Sequence, residues 1–235
     1  MNEPDVALTG VVFGESPRWH EGRLWFSDWG KESDGSLVTH ADLSHLAAAW
    51  NEIVVDGRGN AYVNQAGFDL MAGAEPTSGT IALATPDGST REVADNVWLP
   101  NGMAVTPDNS TLIAAESYRN RLTAFDIDAH GDLSNRRVWA NLGTDHPDGI
   151  CMDAEGAIWY ADVANRHCVR VREGGEVLQT ITVDRGCFSC ALGGPDGRTL
   201  FIVAQEWHGP ESMGQGEPTG RILIIDVPAA HAGHP

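Results

Sequence analysis

An all-β chain is what the sequence predicts, on two observations. Runs with period-two alternation and β-branched or aromatic content recur along the chain, while no window sustains a helical stripe over three or four turns. Polar turn clusters also fall at intervals, and each feeds an apolar run: HEGRLWFSD at 20–28, DGRGNAYVNQ at 56–65, PDNSTLIAAES at 107–117, DAEGAIWYAD at 153–162 and PDGRTLFIVAQE at 195–206. The central bulky residues Trp25, Tyr62, Ile113, Trp159 and Phe201 are 37, 51, 46 and 42 residues apart. That period holds four short strands, the content of one blade of a β-propeller.

Five markers predict five blades in a single domain over 1–235, each laid out as strands A to D from the axis outward. Behind the third and fourth markers, NRLTAFDID with RRVWANL and HCVRVRE with EVLQTITVD supply strands C and D. The fifth unit offers only three strands, at 188–192, 199–204 and 221–227, so the N-terminal run VALTGVVF is expected to add the fourth and close the ring. Closure hides an edge that is otherwise open to aggregation. A β-sandwich gives no reason for the same pattern to repeat five times.

Acidic residues number 33 against 15 basic, a net charge of −18, which repels nucleic acid and anionic lipid and concentrates small cations near the surface. MNEPDVALTG lacks the charged and apolar regions of a signal peptide, and no window approaches a membrane span. The expectation is a soluble, cytoplasmic protein without nucleic-acid or membrane partners. Four cysteines are too few for a disulfide framework in 235 residues, so reduced thiols are expected. Cys187 and Cys190 have CxxC spacing without a second such pair, and strand alternation sets their sulfurs on opposite faces; a structural role is expected for both.

In a blade, strand A starts and strand B ends on the same face, so residues just before A and just after B crowd one mouth of the channel. Counting back 10–12 residues from the markers gives Glu15, Asn51, Asn101 and Asp148, with Ser189 or Cys190 in the fifth unit. Any one Asn-Gly or Asp-Gly pair reads as a turn former; four oxygen-bearing side chains in register around one axis read as a shared site. Two carboxylates and two amide oxygens suit a hard cation, Ca²⁺ first, with Mg²⁺, Mn²⁺ or Zn²⁺ as substitutes. Asp28, Asn64, Glu116, Asp162 and Gln205, after strand B, are placed to steady these ligands. His146, Trp50 and Trp98 stand beside them. The long segments 67–79 and 206–220, carrying Phe68, Met71, Glu75, Trp207 and Met213, are expected over the same mouth as lids or specificity elements. No G-x-S-x-G nucleophile elbow is present.

GESPRW, LPNGMAVTPD, SNRRVWANL, HPDGICMDAEGAIWYAD and GGPDGRTLFI together resemble the gluconolactonase, regucalcin and senescence-marker family of calcium-dependent, LRE-like lactonases, over nearly the whole chain. The resemblance implies that Glu15, Asn101 and Asp148 bind the metal, that Asp148 is also the general base, and that Asn51 and Asn101 contact water or substrate. It implies a hydrolase of small-molecule lactones or related activated esters, with a metal-polarised carbonyl attacked by water. Many relatives carry Arg where this chain has Ala49 and Asp where it has Glu52. Two alternatives therefore stand beside the lactonase: an esterase or phosphotriesterase-type hydrolase on the same metal, and a non-catalytic calcium- or ligand-binding propeller. Relatives usually have six blades. In FSDWGKESDGSLVTH, at 26–40, KES joins segments that in relatives are separated by about a blade, which reads as a one-blade deletion leaving a hybrid first blade.

Overall fold

The computed structural model describes residues 3–28, 41–47, 49–70, 72–209 and 217–233. Among these, the strands form five antiparallel sheets in chain order. The first contains β2 (Gly14–His20) and β3 (Arg23–Asp28). The second runs β4 (Ile53–Val55), β5 (Ala61–Gln65), β6 (Gly79–Ala84) and β7 (Thr90–Val97). The third runs β8 (Pro100–Val105), β9 (Thr111–Glu116), β10 (Arg121–Ile127) and β11 (Leu133–Asn141), and the fourth β12 (Pro147–Met152), β13 (Ile158–Asp162), β14 (His167–Val171) and β15 (Val177–Thr182). The fifth holds β16 (Gly186–Gly193), β17 (Thr199–Gln205) and β18 (Gly220–Asp226), with β1 (Asp5–Val11) as its outermost strand. The strand borrowed from the N-terminal run is where the sequence placed it, with Asp5 opposite Ile224.

The first strand of each sheet lies innermost. β4 abuts β8, β8 abuts β12, β12 abuts β16 and β16 abuts β2. Between β2 and β4 the Ser16 hydroxyl donates to Glu52 Oε1 at 2.7 Å, and Arg18 Nη2 donates to the Ile53 carbonyl at 2.8 Å. The sheets thus stand around a common axis as an all-β propeller, four of them complete four-stranded blades. The connection at 29–40, with the KES junction and the SLVTH run, lies outside the described residues, as do Met71 and Met213.

Apolar alternation on the second strand of each blade explains the packing. In β13 every residue is buried. Ile158 and Tyr160 face the preceding blade with Ile113 and Leu122, while Trp159 and Ala161 face the following one with Leu200 and Ile202. A strand wedged between two blades has no solvent face, so it reads as a continuous apolar run. Hairpins are set by aspartates: Asp153 Oδ1 accepts the N–H groups of Glu155 and Ala157 at 2.9 and 3.0 Å, with Gly156 at φ +76° closing the turn. Asp87, Asp108 and Asp196 make the same bond to the residue two on.

One marker stands apart from the others, and one expectation fails locally. Trp25 is 55% exposed, because among the described residues β3 pairs only with β2 and no further strand covers its outer side. Cys187 and Cys190 enter one core cluster; a register shift between Cys187 and Ser189 inserts an unpaired residue into β16 and cancels the alternation that put them on opposite faces.

The glycines after Asn101 and Asp148 are not turn residues. Gly102 and Gly149 lie within β8 and β12, and a Cβ on Gly149 meets Ser189 Oγ at 2.0 Å and its Cα at 2.7 Å. On Gly102 it meets the Ile150 nitrogen at 2.4 Å. Glycine is used here because neighbouring inner strands approach too closely for any side chain. Gly149→Ala is therefore expected to destabilise the protein by about 1–3 kcal/mol through overpacking, read as a lower urea midpoint with unchanged m-value. An unaltered midpoint refutes the close approach.

Candidate active site

Glu15 on β2, Asn101 on β8 and Asp148 on β12 occupy corresponding places at the start of three innermost strands. Burial first, then Asp148, then Glu52, push the Glu15 carboxyl well above the usual carboxylate range. Burial, then Glu52 and Asp162, do the same to Asp148, opposed by a hydrogen bond from the Asn101 side chain. These mutual influences place Glu15, Asp148 and Glu52 within reach of one another and tie Asn101 to Asp148, so the predicted ligand set is brought together.

Asn51 and Glu52 divide differently from expectation. Asn51 is exposed at the mouth, its Nδ2 donating to the Pro100 carbonyl at 3.1 Å. Glu52, one residue on, is only 5% exposed and turns inward, its carboxyl raised by burial against the opposing Arg18 and Ser16. Its Oε2 lies 4.0 Å from Arg18 Nη2. Sequence counting took one residue per unit and missed Glu52; its signal is the carboxylate next to Asn51 in WNEI.

Residues closing the second strands hold this arrangement. The Asn64 side chain accepts from the Glu52 N–H at 3.3 Å and donates to the Asn101 carbonyl at 2.7 Å. Glu116 accepts the Trp98 N–H at 2.9 Å, just ahead of β8. Asp162 accepts the His146 N–H at 2.8 Å, just ahead of β12. In three successive blades, then, a buried polar side chain at the end of one strand fixes the backbone that delivers the inner-strand residues. The exposed His146 places Nδ1 3.0 Å from the Ser117 carbonyl, a bond that serves loop structure. Phe68 packs on Tyr118 and Trp207 on Phe188, with ring centroids 5.8 and 5.5 Å apart.

The donor set fits a divalent cation. Glu15 Oε2 is buried without a hydrogen-bond partner, and an orphaned carboxylate oxygen beside two more carboxyl groups is relieved by a bound cation or by protons. A second group of possible ligands, Asp145, Asp162 and His167, lies within 4.8 Å. There the acceptors are already engaged: Asp145 Oδ2 takes the Tyr160 hydroxyl at 2.7 Å and lies 2.9 Å from His167 Nε2. Asn165 and the His146 N–H serve Asp162. Of this network only Asp162 stands out in the sequence; Asp145 and His167 come from a separate loop and strand. Of the two groups, the Glu15 group is the one with a buried carboxylate oxygen that has no hydrogen-bond partner among the described residues.

With this geometry in place, the relatives can be compared. The model of the SMP-30/gluconolactonase/LRE-like region matches residues 29–206. Regucalcin of Xenopus laevis is 32% identical over 173 residues, 68% of this chain and 58% of that protein. Across the first relatives the matches take in 52 to 65% of their length. A gluconolactonase structure from Xanthomonas campestris superposes with a TM-score of 0.73 at 19% identity, covering 97% of this chain and 96% of that one. A calcium-binding regucalcin from Agrobacterium tumefaciens gives 0.66 at 21% identity, covering 93% and 79%. At these identities the superpositions establish the fold.

Proposed function

The chain belongs to the SMP-30/gluconolactonase/LRE-like family, and from that premise we propose that it hydrolyses a small-molecule lactone with the help of a calcium ion held by Glu15, Asn101 and Asp148. The observation that carries this reading is the buried, unpartnered Glu15 oxygen within the electrostatic reach of a second raised carboxyl, Asp148, on another inner strand. The names of the relatives point the same way, one a gluconolactonase and one a calcium-binding regucalcin.

Glu15, Asn101 and Asp148 would hold a divalent cation there, which would supply a Lewis acid for the ester carbonyl and offset the mutual repulsion of the carboxylates. Asp148 takes the proton of the attacking water, steadied by the Asn101 amide. Glu15 supplies ligand charge, and Asn51 contacts the substrate from the exposed rim. Glu52, held by Ser16 at 2.7 Å, adds negative charge where many relatives have the shorter Asp. Ring opening of a lactone is an ester hydrolysis with a modest demand on the leaving group, so neither a serine nucleophile nor a strong acid is needed. We read the two-stranded sheet as the remainder of a first blade, making one five-bladed domain over 1–235 with a narrower channel than a six-bladed ring. Among the described residues no helix is long and apolar enough to cross a membrane.

The test is a chelated sample restored with Ca²⁺, Mn²⁺ or Zn²⁺ and offered aldonolactones, simple lactones and aryl phosphate esters, with acid release followed. Turnover of lactones, lost on chelation and regained with Ca²⁺, is expected. Turnover confined to phosphate esters favours the phosphotriesterase-type reading; none at all with metal bound favours a binding propeller.

A further inference from the structure

All four cysteines meet in and around one core cluster between the fourth and fifth blades, Cys151 and Cys190 from 39 residues apart. Cys168, Cys187 and Cys190 are buried, whereas Cys151 is only partly so. The sulfurs of Cys151 and Cys190 are 3.9 Å apart. Both residues line a narrow cavity on the propeller axis, with Pro17, Met103, Ile150 and His231 among its other walls. Its lining follows Glu15, Asn101 and Asp148 along the inner strands, so it lies deeper in the channel than the carboxylates. The cavity volume is about 40 Å³, against about 10–15 Å³ needed for one water. Hydrogen peroxide fits such a space and a peptide disulfide such as oxidised glutathione does not.

We propose that Cys151 and Cys190 form a peroxide-reactive pair that closes into a disulfide joining β12 to β16. The sulfur of Cys151, the less buried of the two, attacks the O–O bond of peroxide as its proton passes to the departing hydroxide, forming a sulfenic acid and the first water. Cys190 sulfur then attacks the Cys151 sulfur and expels hydroxide, which leaves as water with the Cys190 proton. The net change is two thiols and one H₂O₂ to one disulfide and two waters. Closing from 3.9 Å to a bond of about 2.05 Å draws together the strands carrying Asp148 and Ser189. The Cys190 sulfur already touches the Gly149 carbonyl at 3.7 Å. Cys168 and Cys187 do not line the cavity and are expected to stay reduced. The proposal does not depend on any metal being bound.

The full chain is treated at neutral pH with a few equivalents of H₂O₂ or with oxidised glutathione, then alkylated under denaturing conditions and mapped by mass spectrometry without reduction. Peroxide is expected to lower the four alkylatable thiols to two, with a linked peptide joining Cys151 to Cys190 that dithiothreitol releases; glutathione disulfide is expected to leave all of them free. In Cys190→Ala, Cys151 is expected to remain as a sulfenic acid trapped by dimedone. Persistence of all four thiols under peroxide in the unmutated protein, or a link between any other pair, overturns the proposal, and neither result depends on a variant folding.

Discussion

Asp148→Asn is expected to lower kcat on any lactone the protein turns over by about 10²- to 10⁴-fold at saturating calcium, the usual contribution of a positioned base. The calcium concentration for half-maximal activity is expected to rise as well, because the change also removes a charge from the proposed ligand set. The two effects separate experimentally: a deficit that persists at saturating metal belongs to proton transfer, and one that metal abolishes belongs to binding. Loss of fold is not an available explanation. The substitution removes a buried carboxyl whose ionisation the fold opposes, so the metal-free variant is expected to melt no lower than the parent at neutral pH. Full kcat at saturating calcium refutes Asp148 as the base.

Calcium is expected to raise the melting temperature and to change the sign of its pH dependence in mildly acidic solution. A ligand at one hundred times its Kd stabilises the folded state by about 2.7 kcal/mol, which at about 2–4 °C per kcal/mol for a chain of this size gives about 5–10 °C. Without metal, Glu15, Glu52 and Asp148 all ionise at higher pH in the fold than in the unfolded chain. Above about pH 4, where free carboxyls titrate, the folded state then holds more protons than the unfolded one, so stability falls as pH rises until these groups ionise. Exposed aspartates such as Asp87 and Asp108 are shifted downward by hydrogen bonds from neighbouring Thr and Ser residues. Their stabilisation is lost only as pH falls below the usual carboxylate range, a separate window. Melting curves from pH 4 to 8, with chelator and with calcium, are expected to slope downward in the first series and not in the second. Identical slopes dissociate the raised carboxyls from any metal.

The propeller was legible because its second strands are buried on both faces, which leaves long apolar runs such as IWYAD at near-regular spacing. The corresponding places of Glu15, Asn101 and Asp148 at the starts of inner strands were legible because register repeats with the blade. Glu52 was not: β4 is only three residues long, too short for alternation to tell which of two adjacent polar residues turns inward. The shared core of Cys187 and Cys190 was equally hidden, since a bulge leaves no mark in composition. Asn-Gly and Asp-Gly looked like turns, and only the close approach of β8, β12 and β16 shows why glycine stands at Gly102 and Gly149. The Asp145 and His167 pairing, across 22 residues, depends on tertiary placement that no local pattern encodes.

The seam between β1 and β18 has a consequence in time. Asp5 meets Ile224, a pairing with the largest loop to close among the described residues, where the other strand pairs join sequence neighbours. Hairpins can form blade by blade, but the seam zips last, and β1 is exposed along all but its final residue, so it is also well placed to open first. Val11 ends β1 and Gly14 begins β2, which puts the latch three residues from the strand that presents Glu15. A chain with this seam open therefore carries all the proposed ligand residues without the closed ring that brings Glu15 round to Asp148.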